Sequence, residues 1–332
     1  MSVSVRVSIG MRLQRGPWGG GNQFGLALSE FLQKKNVHIS FDLRGPLDII
    51  VLTEPRKGLK SCAYSHEDII QYLTRKSWET LVVHRINECD ERKGTKGVND
   101  IILRANRYAD HTVFISYWLK GLFEKHGFED KEFSVIYNGA DTRIFNAMGY
   151  QTWDGTGRLR MITHHWSSHY MKGFDIYSRL DELLGNGELG KKLGFTFVGN
   201  VPEGFNFRNA VHIPPRSGTA LAKIIRAHHV YLTASLNEPA GMHHIEGALC
   251  GLPLLYRESG ALPEYCRGFG LSFTEDNFEA RLLEMIARYH ELVPRMAVYP
   301  YTSQRMCESY YNLFKNLMER RREVIRRRNF CK

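Results

Sequence analysis

The sequence predicts an α/β protein of two domains, each built on a parallel sheet covered by helices. Strand-like and helix-like segments alternate along the chain. Several of the strand segments are continuous apolar runs, as expected of parallel strands buried on both faces. The alternation starts afresh after Asn138-Gly139-Ala140-Asp141, and 332 residues exceed the size at which one core usually stops growing.

In the first array residues 3–9 alternate as a strand, followed by the glycine-rich residues 16–21. A helix then runs from about Asn22, with Phe24, Leu28, Phe31 and Leu32 at helical spacing. Residues 37–43 and 47–52 are two more strands. Residues 81–83 form another, closed by the polar run 84–90 that begins at His84. A helix reaching Ala109, a strand at 112–115, a helix stopped near Gly127 and a strand at 134–137 complete the array. The second array has strands at 158–166, 195–199, 230–234, 252–256 and Gly270–Phe273, with a short strand ahead of Pro214. Its helices lie at 173–184, 221–227, 243–250 and Phe278–Leu292. A closing helix from 302 to about 326 carries the apolar stripe Met306, Tyr310, Leu313, Phe314 and Leu317. The expected domains are therefore 1–145 and 146–300, and the closing helix has no strand to pair with in sequence.

No stretch approaches the roughly 20 apolar residues of a spanning helix, and the first residues lack an apolar leader. The six cysteines stand far apart without metal-ligand spacing, which suits reduced thiols and a cytoplasmic protein. The net charge of +10 fits a phosphate-bearing partner. Part of it lies in the tail Arg320, Arg321, Arg322, Arg326, Arg327 and Arg328, either the solvated end of a helix or a contact with a polyanion or the inner face of a membrane. The tail lacks interleaved aromatics or a recognition motif, so no nucleic-acid partner is expected.

The chemistry concentrates in residues 237–253, NEPAGMHHIEGALCGLP. Glu238 falls in the loop after a strand. Glu246 lies about a turn into the next helix, where side chains tilt back toward the helix start. Between them, the N–H groups of Gly241, Met242 and His243 make an anion site at a helix start. A nucleotide-sugar fits: the diphosphate on the helix start, one carboxylate for ribose hydroxyls and one for sugar hydroxyls. The alternative is two solvated glutamates at a chance spacing. His164, His165, His243 and His244 look like paired metal ligands, but neighbours on a strand or helix diverge, so no metal is expected. The loop Gly16–Asn22 opens a helix, so Gly20, Gly21 and Asn22 can let backbone approach phosphate or sugar.

Glu-Pro-x-Gly, a second glutamate eight residues after the first, Ala-x-x-Gly-x-Pro and the later SGALPE run at 259–264 occur in order. With these motifs the chain resembles the family-4 retaining glycosyltransferases, known for a glutamate–seven residues–glutamate motif. The likeness extends to residues 135–141 with Phe145, to Lys172-Gly173 and to the glycine-rich loop, strongest over 134–285 and weakest over 40–110. The resemblance implies a GT-B fold, two Rossmann-like domains facing a central cleft, with the closing helix crossing back to the N-terminal domain. It implies an acceptor-side domain at 1–145 together with 302–332 and a donor-binding domain at 146–300. It also implies metal-independent, retaining transfer of a sugar from a UDP- or GDP-sugar to a glycan, glycoprotein or lipid-linked acceptor, without a cofactor. By that resemblance Glu246 binds the ribose and Glu238 the donor sugar, with Asn237 and Ala240 beside them, and Lys172 neutralises the leaving diphosphate. His84 contacts the sugar near the reacting carbon, and Arg85, Asn87 and Asp90 contact sugar or acceptor. The family's arginine five residues before the lysine is Ser167 here. Either Ser167, Ser168 and His169 bind phosphate, or Arg15 or Arg216 substitutes, or donor binding is weak. A degenerate GT-B protein that binds without turnover, and a nucleotide-sugar epimerase, are the rival readings.

Overall fold

A computed structural model describes residues 5–14, 16, 18–128, 132–185 and 187–328. The start of the strand read at 3–9, Arg15 and the last cysteine, Cys331, lie outside the described residues. Contacts divide the chain into two compact units. The first comprises Met1–Gln14, Gly21–Asn138 and Ser303–Lys332, the second Arg15–Gly20 and Gly139–Thr302. Residues 139–145, assigned to the first domain by sequence, group here with the second.

The elements of the first array are β1 (Arg6–Ile9), α1 (Gly20–Lys34), β2 (His38–Ser40), β3 (Ile49–Leu52), α2 (His66–Arg75), β4 (Leu81–Ile86), α3 (Val98–Asn106), β5 (His111–Phe114), α4 (Tyr117–Lys125) and β6 (Phe133–Val135). The strands form one parallel sheet in the order β2-β1-β3-β4-β5-β6. β3, the run IIVL, is buried at every position, which explains its lack of alternation. The second array runs β7 (Leu159–His165), α5 (Phe174–Gly185), α6 (Gly187–Lys192), β8 (Leu193–Gly199), β9 (Val211–Ile213), α7 (Gly218–Arg226), β10 (Val230–Thr233), α8 (His243–Leu249), β11 (Leu254–Arg257), α9 (Leu262–Cys266), β12 (Gly270–Phe273) and α10 (Phe278–Leu292). Its parallel sheet has the order β12-β11-β10-β7-β8-β9.

The chain closes with α11 (Ser303–Glu319) and α12 (Arg321–Arg326). Met306, Tyr310, Phe314 and Leu317 pack with Val7, Ile9, Phe24 and Leu28, so the final stripe belongs to the core of the first unit. The expected single helix breaks at Arg320. There Arg320 pairs with Glu132 at 2.6 Å, and α12 lays Val324 into the same core. Arg327 also pairs with Glu132, Arg321 approaches Asp48, and Arg328 meets Asp110 at 2.6 Å. Four of the six tail arginines thus hold carboxylates of their own unit. Among the described residues no helix is long and apolar enough to cross a membrane.

Two further differences concern the first unit. α2, absent from the sequence reading, is opened by a capping box in which the Asp68 side chain accepts the Ser65 N–H at 2.9 Å, and Ile69, Tyr72 and Leu73 are buried. The strand expected to end at Val83 continues to Ile86. The added residues pair with both neighbours, His84 opposite Leu52 and Arg85 opposite Val113.

Buried histidines set the acid limit of both units. The His229 Nδ1 accepts the Arg160 N–H at 3.0 Å, and the His228 Nδ1 donates to the Ile224 carbonyl at 2.8 Å while Nε2 takes the Thr196 hydroxyl. A proton added to either ring removes an acceptor. Burial holds His111, His228 and His229 down to about 4. The unfolded chain takes up these protons near 6.5 and the folded chain does not, so stability is full above about 6.5 and falls as pH drops toward 4. Thermal melting between pH 7 and 4.5 should show this decline, and His228→Gln should flatten its share. A flat profile would contradict it.

Candidate functional site

In the second sheet β8 and β9 lie on one side of β7, and β10, β11 and β12 on the other. The strand order reverses between β7 and β10, and in such sheets ligands collect beyond the carboxyl ends of the strands at that reversal. The loops that leave β7 and β10 carry the sequence-predicted residues Ser167, Lys172, Asn237 and Glu238, and α8 carries His243 and Glu246.

Lys172 and Glu238, which lie 66 residues apart, meet directly, with Lys172 Nζ donating to Glu238 Oε2. Both are buried, at 8% and 2% exposure. The two loops are fastened to one another. Leu236 N–H donates to the Met171 carbonyl at 2.8 Å, and Gly173, at φ 103°, lies so close to Ala234 that a Cβ would stand 2.5 Å from it. Asn237 adopts a left-handed φ of 48°, and its N–H donates to Ser259 Oγ at 2.9 Å. Ala261 N–H donates to the Glu238 carbonyl at 2.8 Å. The SGALPE run therefore holds the backbone that aims Glu238.

Glu246 is also buried, and its Oε2 accepts His164 Nε2–H at 2.7 Å. Behind it, His165 Nε2 bonds the Tyr177 hydroxyl and His243 Nε2 the Thr233 hydroxyl, each at 2.8 Å. Burial pushes both rings well below the usual histidine range. His244 is held down to about 3 by burial, and neither ring nitrogen has a hydrogen-bond partner among the described residues. The divergence expected within each adjacent pair does not keep the two pairs apart. The His243 ring lies 4.5 Å from that of His165 and 6.3 Å from that of His164, because the end of β7 meets the start of α8. Among the described residues no group of three or more His, Cys, Asp or Glu could hold a metal ion.

Between the glutamates, the N–H groups of Gly241, Met242 and His243 have no backbone acceptor among the described residues. Ala240 and Met242 are buried. Gly20 packs on this segment, where a Cβ would stand 2.4 Å from Met242 Cγ. A Cβ on Gly241 would come within 2.4 Å of the His243 ring. Asn22 closes its own loop, its amide bonding Gln14 N–H at 2.7 Å and Gln14 O at 2.9 Å, next to Gly21. Ser167 Oγ accepts the His169 N–H at 3.2 Å, and Arg216 is exposed, bonding the Pro214 and Pro215 carbonyls. Exposed Trp18 and Trp166 lie 5.8 Å apart, a pair the sequence reading did not single out.

The residues proposed around His84 are engaged within the first unit. His84 is buried with Nδ1 3.2 Å from Asn106 Nδ2. Arg85 is buried over the Phe24 ring at 4.0 Å and donates to Asn138 at 3.0 Å. With its amide turned to suit its neighbours, Asn87 donates to Thr53 O at 3.2 Å and accepts from Arg85 at 3.3 Å. Asp90 accepts the N–H groups of Val98 and Asn99 at 3.1 and 3.0 Å, capping α3. His164 and Tyr231 were missed as site residues, although the Thr-His-His ending of β7 was a visible signal.

Two parallel sheets, each in doubly wound order and covered by helices, define the GT-B fold of glycosyltransferases. Comparison with protein-family models and with curated proteins gives no match. Among solved structures the chain is similar to the catalytic domain of starch synthase IV from Arabidopsis thaliana bound to ADP and acarbose, with TM-score 0.69, 13% identity, and coverage of 96% of this chain and 100% of that one. It is similar also to sucrose-phosphate synthase from Thermosynechococcus elongatus, with TM-score 0.67, 12% identity, and coverage of 96% and 100%. Anabaena HepE in complex with UDP and glucose gives TM-score 0.67, 12% identity, and coverage of 95% and 100%. Identities this low carry the fold.

Proposed function

We propose that the chain is a retaining glycosyltransferase of the family-4 type, moving a sugar from a UDP- or GDP-sugar to a hydroxyl of a glycan, glycoprotein or lipid-linked acceptor. The observation that carries this reading is the buried Lys172–Glu238 pair beside Glu246 and the open N–H groups of Gly241, Met242 and His243. In this reading the diphosphate rests on those N–H groups, Glu246 takes the ribose and Glu238 the sugar hydroxyls. The ammonium of Lys172, released by Glu238 as that carboxylate turns to the sugar, stabilises the departing diphosphate as negative charge builds on it. That charge is met by a lysine and backbone N–H groups, without a metal. The second unit is the donor-binding half and the first the acceptor half. UDP with glucose in HepE, and ADP in starch synthase IV, support a nucleoside diphosphate as the ligand class.

Ser167, in place of the family's arginine, favours one alternative, a protein that binds donor without turnover. Thermal shift with a panel of UDP- and GDP-sugars tests the first part, since a ligand at 100 times its Kd adds about 2.7 kcal/mol. Nucleotide release with a panel of glycan and lipid-linked acceptors tests the second. Stabilisation together with acceptor-dependent release is expected. No stabilisation by any donor sinks the donor reading, stabilisation without release leaves a binder, and a new nucleotide-sugar formed without acceptor means an epimerase.

A further inference from the structure

Glu246 has two carboxylate oxygens, and the protein engages one. Oε2 accepts the Nε2–H of His164 at 2.7 Å, while Oε1 has no hydrogen-bond partner among the described residues. An ionised carboxylate can only accept, so Nε2 carries the proton. The other edge of the ring is defined as well. The Tyr231 hydroxyl accepts the backbone N–H of His164 at 3.0 Å and lies 2.9 Å from Nδ1, so its own proton is available to that nitrogen. Tyr231 is fully buried on β10, and its ring reaches this place because Gly247 has no side chain. A Cβ on Gly247 would stand 2.1 Å from the ring. β7, β10 and α8 together fix the imidazole, and the imidazole fixes the carboxylate.

We propose that His164 is a positioning residue for nucleotide recognition. By taking one acceptor position of Oε2 and fixing the direction of the carboxylate, it leaves Oε1 as the more open oxygen, so one of the two ribose hydroxyls is bound more strongly than the other. This rests on the ribose role of Glu246 proposed above. A carboxylate open at both oxygens can accept from both hydroxyls of a vicinal diol, each oxygen taking one. A carboxylate held from the side has Oε1 fully open in a fixed direction and only one acceptor position left on Oε2.

The test is titration of the full chain with UDP, GDP and ADP, followed by the 2′-deoxy and 3′-deoxy forms of whichever binds tightest. One deoxy form should bind about 10- to 100-fold more weakly than its parent and the other within about threefold, the spread expected for a hydrogen bond to a charged group made or missing. His164→Phe, which donates nothing, should weaken the parent and erase the preference. His164→Gln, whose amide keeps an N–H, should retain much of it and raise the donor KM with kcat near that of the unsubstituted protein. Equal weakening by the two deoxy forms, or a preference that persists in His164→Phe, overturns the assignment. If none of the three diphosphates binds the unsubstituted chain, the donor reading itself fails, and this inference with it.

Discussion

Lys172→Ala is expected to lower kcat about 100- to 1000-fold, the range seen when one electrostatic contact to a developing charge is removed. The substitution also strands Glu238, a carboxylate 2% exposed, without its ammonium partner. Breaking a buried pair from one side costs about 3–5 kcal/mol, so the variant should also unfold at lower urea. The two effects separate in Lys172→Met/Glu238→Gln. With both charges gone, stability should recover much of the loss, because no uncompensated charge is left inside. Transfer should stay at the floor. A double variant that regained turnover, or a Lys172→Ala protein with normal kcat, would remove the lysine from the chemistry.

The second large effect is structural. Arg328→Ala should destabilise the first unit by about 3–5 kcal/mol, because the guanidinium and Asp110 are each only 1% exposed. Arg328 also donates to the Trp78 and Thr80 carbonyls, and its guanidinium lies 5.3 Å from the centre of the Trp78 ring. Asp110 in turn accepts the Val82 N–H at 2.7 Å, at the start of β4. Removing the arginine leaves the Asp110 carboxylate and the Thr80 carbonyl short of a partner. Equilibrium unfolding should show the first unit's transition shifted and the second unit's unchanged. A loss within about 0.5 kcal/mol, the usual range for a surface residue, would mean that Arg328 is an ordinary tail residue.

Much of the fold was legible because local pattern and final environment agree. Phe24 and Leu28 bury the face their spacing marks, and IIVL is apolar throughout because both its faces are covered. α10 and β12 match their expected bounds for the same reason. α2 was missed although Ser65 and Asp68 spell its start, since its charged surface dilutes the apolar signal of Ile69, Tyr72 and Leu73. The order of Glu238, Glu246 and SGALPE pointed to a candidate site, and the structure gathers these residues at the strand-order reversal. What the sequence could not show were the partners. Lys172 meets Glu238 across 66 residues and His164 meets Glu246 across 82, pairings that only the order β10-β7 brings together. For Arg85, the polar run beginning at His84 placed it beyond the strand end, where it was read as a sugar or acceptor contact. Pairing of β4 with β5 instead draws its backbone into the sheet, and Phe24 and Asn138 enclose the side chain.

The first unit is assembled from segments that translation makes far apart in time. Its sheet is encoded before residue 139, but the stripe Met306–Leu317 that seals β1 and α1, and the arginine that holds Asp110, leave the ribosome only after the whole of residues 139–302. The second unit, apart from the short Arg15–Gly20 segment, is continuous and can condense as soon as it clears the exit tunnel. During that interval the nascent first sheet waits with Val7, Ile9, Phe24 and Leu28 uncovered, the kind of surface that chaperones hold.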